Sequence, residues 1–591
     1  MKLLLLTTGE SVALVSALAL ALFAAPLLRA TGDDQWEFIS LYDDYTNFEV
    51  NPVLLPSSAA AASCAGAPSS CAHDASNAST SLFSWHNLYA MATMRRINVY
   101  EPLSWLLKAA IVHFVGMDAT LLYLVHPMHV EVVAWPSAQP YALAALFANL
   151  SLASYLQKKK SALQSARGNR SRTPAYEQAQ HAVDEACESA GLDWLVAAFF
   201  LCCVLSKSVA VLLPVAFFLV DVLVVYRINT SGSGFTMRAA LKSTRRKAPV
   251  LVIFLAFIVI TLWSNGESWE DMITLSLPER ALKAAMAPAW TLRHLLWPAR
   301  LRMHYQLREA DLDLFGNMDA LLSIAALVLW VLAGVWRWRQ QRSPVAFLAT
   351  AYFCAMLLPT SGLVQHGIVT QGCDRYAYFP STIFVPLLGY AFGRALVGVS
   401  YGAVLCASVL LSKAQMETWR NERTLYEHSI RLDPTDWRMY SWLAKTLASA
   451  SPPVCAAEPQ KCQQLWRLAR TFAPTRSLTG VLFRTKVLVP LGEFDLACSV
   501  YEQLLLMHPD SPAVLNNIGV CRLLRGAVTL SGARELFARA VDAADTGKYA
   551  QGSVAHTLEN FEAWVAAFRE EHGDREPTNQ ERLTFSDWVM V

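Results

Sequence analysis

At 591 residues, 54% hydrophobic and only 16% charged, the chain is too apolar for a soluble protein, in which about a quarter of residues are charged. It reads as a membrane protein. With 49 basic against 47 acidic residues the net charge is +2, so the totals carry no nucleic-acid footprint and no nucleic-acid partner is expected.

The chain opens with an apolar stretch from Val12 to Leu28 that approaches bilayer length. Residues 1–29 are expected to form an uncleaved signal-anchor and first transmembrane helix, although the small residues between Ala21 and Ala30 also suit a cleaved signal peptide. Residues 30–101 follow as a first luminal loop, and 102–416 as a polytopic membrane bundle. Its apolar runs lie near 103–125, 132–156, 193–208, 209–226, 248–264, 319–336, 344–363, 377–396 and 398–414. Basic residues collect in "KKKSALQSARGNRSR" (158–172), "RINTSGSGFTMRAALKSTRRK" (227–247) and "RWRQQR" (337–342). Two spans separate each from the next, so all three share one side, which the positive-inside rule makes cytosolic. The loops around 126–131, 265–318 and 365–380, with the C-terminal part, then fall in the lumen. Counting forward from the signal-anchor gives the opposite side for His126. Either 102–131 re-enters the membrane without crossing, or one span is missing there.

Residues 417–545 read as helical hairpins. Pro434, Pro474 and Pro509 fall 40 and 35 residues apart, near the roughly 34-residue tetratricopeptide period. Stacked hairpins of that kind leave a concave groove suited to an extended polypeptide. The C-terminal tail, 546–591, is weakly patterned. Among the 12 cysteines, Cys64/Cys71 and Cys455/Cys462 are close enough to form disulfides in an oxidising lumen, whereas Cys202, Cys203 and Cys406 lie inside apolar runs.

Ionisable groups at a membrane boundary are costly and therefore candidates for function. Asp43 and Asp44 stand together in "TGDDQWEFISLYDDYTNFEVNP"; paired carboxylates raise one another's proton affinity, so one can act as a base, though a solvated loop accounts for them as well. In "HPMHVEVVAW", His126 and His129 are three apart and share a helix face, with Glu131 expected to point elsewhere. Zinc lacks a third ligand at the expected spacing. Lys207 interrupts "VLSKSVAVLLP", where it either meets a lipid phosphate or snorkels to the interface. "GCDRYAYFPS" sets Arg375 and Tyr376 beside Asp374, as a phosphate fork or as an Asp-Arg ion pair in an aromatic belt. Gly-rich phosphate loops and HExxH motifs are absent, which argues against nucleotide-driven chemistry.

Taken in order, "FISLYDDYTNFEVNP", "YEPLSWL", "HPMHVEVVAW", "SKSVAVLLPVAFFLVD", "WPARLRMHY", "LLPTSGL", "DRYAYFPS" and "WRNERTLYEHSIRLDP" closely resemble the transmembrane and tetratricopeptide-repeat O-mannosyltransferases. The resemblance implies an all-α, GT-C-like transmembrane bundle followed by a tetratricopeptide solenoid in the endoplasmic reticulum membrane. It also implies transfer of mannose from dolichyl phosphate mannose to Ser or Thr of secretory-pathway polypeptides, cadherins in animals. The lipid-linked donor is a substrate, so no cofactor is implied and no metal is assigned. Asp43 and Asp44 match the catalytic acidic pair. His126, His129, Glu131, Lys207, Arg375 and Tyr376 fall in blocks expected to bind substrate, with membrane lipids and acceptor polypeptides as partners. The chain departs from the family at Glu101, at Ser208 where Glu is common, and by one span absent between Gly116 and Leu124. These departures keep a non-catalytic membrane scaffold as the alternative.

Overall fold

The computed structural model describes residues 127–168, 193–228, 244–265, 275–341, 343–364, 370–384, 398–450, 454–475, 478–544 and 551–585. Asp43, Asp44, Glu101, His126, the Cys64/Cys71 pair, the expected span 103–125 and the sequons at Asn77, Asn169 and Asn229 lie outside the described residues. The described chain is mainly α-helical, and its one β feature is an isolated bridge between Gln306 and Thr370.

The first long helix, α1 (Gln139–Gly168), buries Ala144, Ala145, Ala148 and Ser151 on one face. Such small residues let a neighbouring helix approach closely. α2 (Trp194–Ser206) takes that place, and the Ser151 hydroxyl donates to the Val196 carbonyl at 2.8 Å. α2 stops where Lys207 turns extended, and after one 3₁₀ turn α3 (Leu213–Ile228) begins with Pro214 in its first turn. Pro is tolerated there because the missing N–H would have had no helical partner. α4 (Ala248–Asn265), α5 (Leu277–Leu296), α6 (Met318–Gln341), α7 (Val345–Leu357) and α8 (Gly398–Thr418) follow.

Among the described residues one helix, Met318–Gln340, is long and apolar enough to cross a membrane by itself. It leaves Leu322, Leu329, Leu332 and Trp336 exposed. The runs at 193–208 and 344–363 are realised as shorter apolar helices, because Lys207 and Pro359 break them.

Charges mark one end of the helices. Lys158 pairs with Asp193, joining the far part of α1 to the start of α2. Asp221 of α3 takes Lys159 at 3.1 Å, Lys247 at 2.5 Å and the Tyr155 hydroxyl at 2.6 Å. The ends of two of the three basic loops thus meet at one place. From Tyr141 to Lys159 the helical rise amounts to about 27 Å, close to the ~30 Å of a hydrocarbon core.

The C-terminal part is a succession of helices: α9 (Glu422–Leu432), α10 (Trp437–Ser449), α11 (Pro459–Phe472), α12 (Leu478–Lys486), α13 (Phe494–Met507), α14 (Pro512–Leu524), α15 (Leu530–Ala543) and α16 (Gln551–His572). Asn421 and Asp436 cap α9 and α10 by accepting from the amides of Thr424 and Arg438, which satisfies otherwise orphaned donors. Cys455 and Cys462 form a disulfide at the start of α11; a second, Cys498–Cys521, ties α13 to α14. The sequence reading did not find that second bridge, since its partners lie 23 residues apart on different helices. Val554 and Phe561 of α16 and Phe585 beyond it pack into the same core as α13 to α15, although this stretch carries little pattern in sequence. Another core is continuous from Val130 through Met416 and Trp419 to Leu425, Met439 and Cys462, so the first hairpin is packed onto the bundle.

Candidate functional site

At the end of α1 opposite the lysines, the chain between Pro127 and Ala138 runs through a 3₁₀ turn, the short helix Val130–Ala134 and a second 3₁₀ turn. Pro136 and Pro140 keep this stretch from joining α1 as one continuous helix, because each lacks an amide donor. His129 and Glu131 are both buried and both reach the same segment, 374–381. The His129 imidazole Nε2 lies 3.2 Å from the Ser381 hydroxyl and its ring meets Tyr378 edge-on at 4.9 Å. Glu131 accepts the Arg375 backbone amide at 2.8 Å and forms an ion pair with its guanidinium. His129 and Glu131 thus meet different residues of that segment, and His126, the other histidine of the expected face, lies outside the described residues.

Arg375 takes Glu131 as its ion-pair partner and not its sequence neighbour Asp374. The Asp374 carboxylate instead accepts from the Tyr305 hydroxyl at 2.8 Å. Arg375 lies 5.2 Å from the Trp135 ring and 5.0 Å from the Tyr376 ring, while Lys207 stands 5.3 Å over Tyr141. Tyr141 stands between the two, under the Lys207 ammonium and beside the Tyr376 ring that faces Arg375. The Tyr141 and Tyr376 rings are 6.2 Å apart. His129, Glu131, Lys207, Arg375 and Tyr376, spread over almost 250 positions of sequence, thus share one neighbourhood; a guanidinium, an ammonium and phenols together are suited to hold a phosphate.

Burial pushes the Asp374 carboxyl well above its usual range, and the neighbouring Glu131 charge adds to this against the Tyr305 hydrogen bond and Arg375. Burial also raises Glu131, but the Arg375 ion pair and amide oppose it. Two adjoining carboxyls do not ionise equally: Glu131, in direct contact with the guanidinium, takes the charge, and Asp374 keeps its proton longer.

Three further groups escaped sequence reasoning. Lys283 on α5 is buried and donates to the Ser361 carbonyl at 2.9 Å, and burial lowers its ammonium to about 8. Gly362 of "LLPTSGL" has φ of 87°, and a Cβ there would stand 2.3 Å from the Lys283 nitrogen, so both backbone and space call for glycine. Gly372 of "GCDRY" likewise faces Trp290, 2.6 Å from where a Cβ would be.

The block "WPARLRMHY" carries the bridge to the C-terminal hairpins. Arg302 lies 3.2 Å and Arg308 2.8 Å from Asp433, and His304 Nδ1 lies 2.6 Å from Asp436. Burial would raise Asp433, but the Thr435 hydroxyl and the two arginines outweigh it and hold the carboxyl below its usual range. His304 and Tyr305 are adjacent, so one dipeptide grips the cap of α10 and the carboxyl beside Arg375. The sequence carries "WPARLRMHY", but no spacing within it reveals this role.

No family model, curated protein or solved structure matches this chain. Among the described residues there is no cluster of three or more His, Cys, Asp or Glu able to hold a metal ion.

Proposed function

We propose that the chain is a membrane glycosyltransferase of the transmembrane and tetratricopeptide-repeat O-mannosyltransferase type, moving mannose from dolichyl phosphate mannose to Ser or Thr hydroxyls in the lumen of the endoplasmic reticulum. The observation that carries the reading is the pairing of Glu131 from "HPMHVE" with Arg375 from "DRY", with Tyr376 and Tyr141 joining it to Lys207. This cluster lies at the end of α1 remote from the lysine-rich end. An anchor has no physical need for such groups at a membrane boundary. Two disulfides in the hairpin half support an oxidising, luminal setting for it. The polytopic bundle is supported by the near-bilayer separation of the two charged ends; the tetratricopeptide solenoid is supported by the proline period and by the packing of successive short helices on one another.

In this reading Asp43 or Asp44 takes the proton of an acceptor hydroxyl as its oxygen bonds to the anomeric carbon. The bond from that carbon to the phosphate oxygen breaks, and dolichyl phosphate leaves with the electron pair. Arg375 and Lys207 stabilise the departing phosphate, and Glu131 holds Arg375 in place. Base catalysis and charge stabilisation each contribute about two to four orders of magnitude.

The test is transfer from dolichyl phosphate mannose to a Ser/Thr peptide by the full chain in detergent. Wild-type transfer that disappears in Asp43→Asn/Asp44→Asn and falls steeply in Arg375→Ala is expected. Unchanged transfer in the double Asn variant removes those carboxylates from the mechanism. A second reading, the non-catalytic scaffold, is favoured by Glu101 and Ser208 at positions where the family differs and by the absent span; a folded chain that never transfers sugar would favour it.

A further inference from the structure

One end of α6 gathers exposed apolar side chains from two elements. Phe315 is 86% exposed, Trp297 75%, Leu296 73% and Met318 67%. Arg293 of α5 lies 4.0 Å from Asp319 of α6, which brings the C-terminal end of α5 to the start of α6. Leu296 and Trp297 stand within one turn of Arg293, whose carbonyl accepts the Trp297 amide at 2.9 Å; Phe315 and Met318 precede Asp319 by four positions and one. The turn that presents Phe315 is fixed. Its amide donates to the Asp313 carboxylate at 3.1 Å, and Asn317 caps α6 by accepting from the Asp319 amide at 3.0 Å.

The depth of this patch follows from α6. At the other end of the helix Trp336 is exposed beside the exposed Arg337 and Arg339. From Met318 to Trp336 the helical rise is about 27 Å, close to the ~30 Å of a hydrocarbon core. α5 lies across the same side: α7 returns antiparallel along α6, with Trp338 beside Phe347 and Trp330 beside Phe353, and Lys283 of α5 reaches Ser361 beyond the end of α7.

We infer that Leu296, Trp297, Phe315 and Met318 form a membrane anchor seated in the headgroup layer of the luminal leaflet, with phospholipid as its partner. Exposed apolar patches mark membrane or protein contacts, and continuity with the exposed stripe of Leu322, Leu329, Leu332 and Trp336 on α6 selects lipid. Aromatic rings favour that layer. Asp319 balances the Arg293 charge, so recognition is by apolar area and neutral phosphatidylcholine is the expected partner. Trp297 also opens "WPARLRMHY", whose His304 and Tyr305 hold Asp436 and Asp374. Seating Trp297 at the bilayer surface therefore fixes the height of the strap, and with it the candidate site, at the level of a lipid-linked phosphate. The inference rests on the membrane reading of the bundle and holds whether or not sugar is transferred.

The full chain is reconstituted in phosphatidylcholine vesicles doped with a phosphatidylcholine that carries a diazirine either near the acyl carbonyl or at the chain end. After illumination, labelled residues are read by mass spectrometry. The shallow probe should label Leu296, Trp297, Phe315 and Met318, and the deep probe Leu329 in the middle of α6. In Trp297→Ser/Phe315→Ser, shallow labelling of Leu296 and Met318 should be lost while deep labelling of Leu329 persists, which also shows that the variant still inserts. A wild-type patch that is unlabelled, or labelled by the deep probe alone, overturns the inference, as does patch labelling that the variant leaves unchanged. Cross-links through the patch between isotopically heavy and light copies, in place of lipid labelling, assign it to a second copy and overturn it too. Leu329 labelled by neither probe removes the crossing of α6 and the anchor with it. No mannose transfer is read, so failure here is distinct from failure of the proposed activity.

Discussion

Replacing Glu131 by Gln keeps the shape of the side chain and removes its charge from beside Arg375, whose side chain is 11% exposed. Truncating one partner of a buried ion pair costs about 3–5 kcal/mol, mostly for the charge left behind. The lower end, about 3 kcal/mol, is expected here. Asp374 adjoins Arg375, and part of what keeps Asp374 protonated is the charge on Glu131; once that charge is gone, Asp374 ionises more readily and takes over some of the compensation. Glu131→Gln/Asp374→Asn removes both carboxylates and should reach the upper end, about 5 kcal/mol. Asp374→Asn alone behaves differently, since the amide oxygen still accepts from Tyr305. A carboxyl raised above its ordinary 3.8 in the folded state contributes fully below its unfolded value and loses that contribution as pH rises through the folded value. Asp374→Asn removes this loss, so the variant should gain on the wild type as pH rises. Unfolding in detergent followed by tryptophan fluorescence at several pH values reads all three. A Glu131→Gln effect within about 0.5 kcal/mol of wild type, or a double variant no worse than the sum of the singles within that margin, would refute the coupled arrangement.

Removing the Cys498–Cys521 bridge as Cys498→Ala/Cys521→Ala should destabilise the hairpin region by about 3 kcal/mol, from the chain entropy of the loop it closes; an unchanged melting midpoint would count against a formed disulfide. Asp433 is held below its ordinary 3.8, so its contribution to docking the hairpins is complete above that value and disappears as pH falls through the folded one. Hydrogen exchange across 300–308 should accordingly rise on acidification in wild type and already be raised near neutral pH in Asp433→Asn; protection that is indifferent to both would remove Asp433 from the bridge. For topology, glycan mapping should find Asn77 modified and Asn169 and Asn229 bare, and sugar on Asn229 would invert the assigned sides.

Much of the architecture was legible as local pattern. Clustered lysines and arginines at 158–172 and 227–247 marked one end of the helices, and the structure joins the ends of those two stretches, Lys159 and Lys247, through Asp221. The break at Lys207 and the hairpin turn at Pro434 are equally local, since an extended residue or a proline stops a helix whatever surrounds it. The blocks containing His129, Glu131, Arg375 and Tyr376 could be singled out by their charge at an apolar boundary, and Cys455 with Cys462 by proximity.

Tertiary structure alone decided the partnerships. Sequence offers Arg375 its neighbour Asp374 and offers Cys498 no nearby partner, yet the first finds Glu131 across 244 positions and the second finds Cys521 on the next helix. The reason is that helix starts, stops and membrane-length apolar runs depend on a residue's own chemistry and its near neighbours, whereas the partner of a buried charge is whichever opposite group packing brings within reach once water is excluded. For the same reason "WPARLRMHY" was visible as a block, and only the folded chain made it the strap that ties the hairpins to the candidate site.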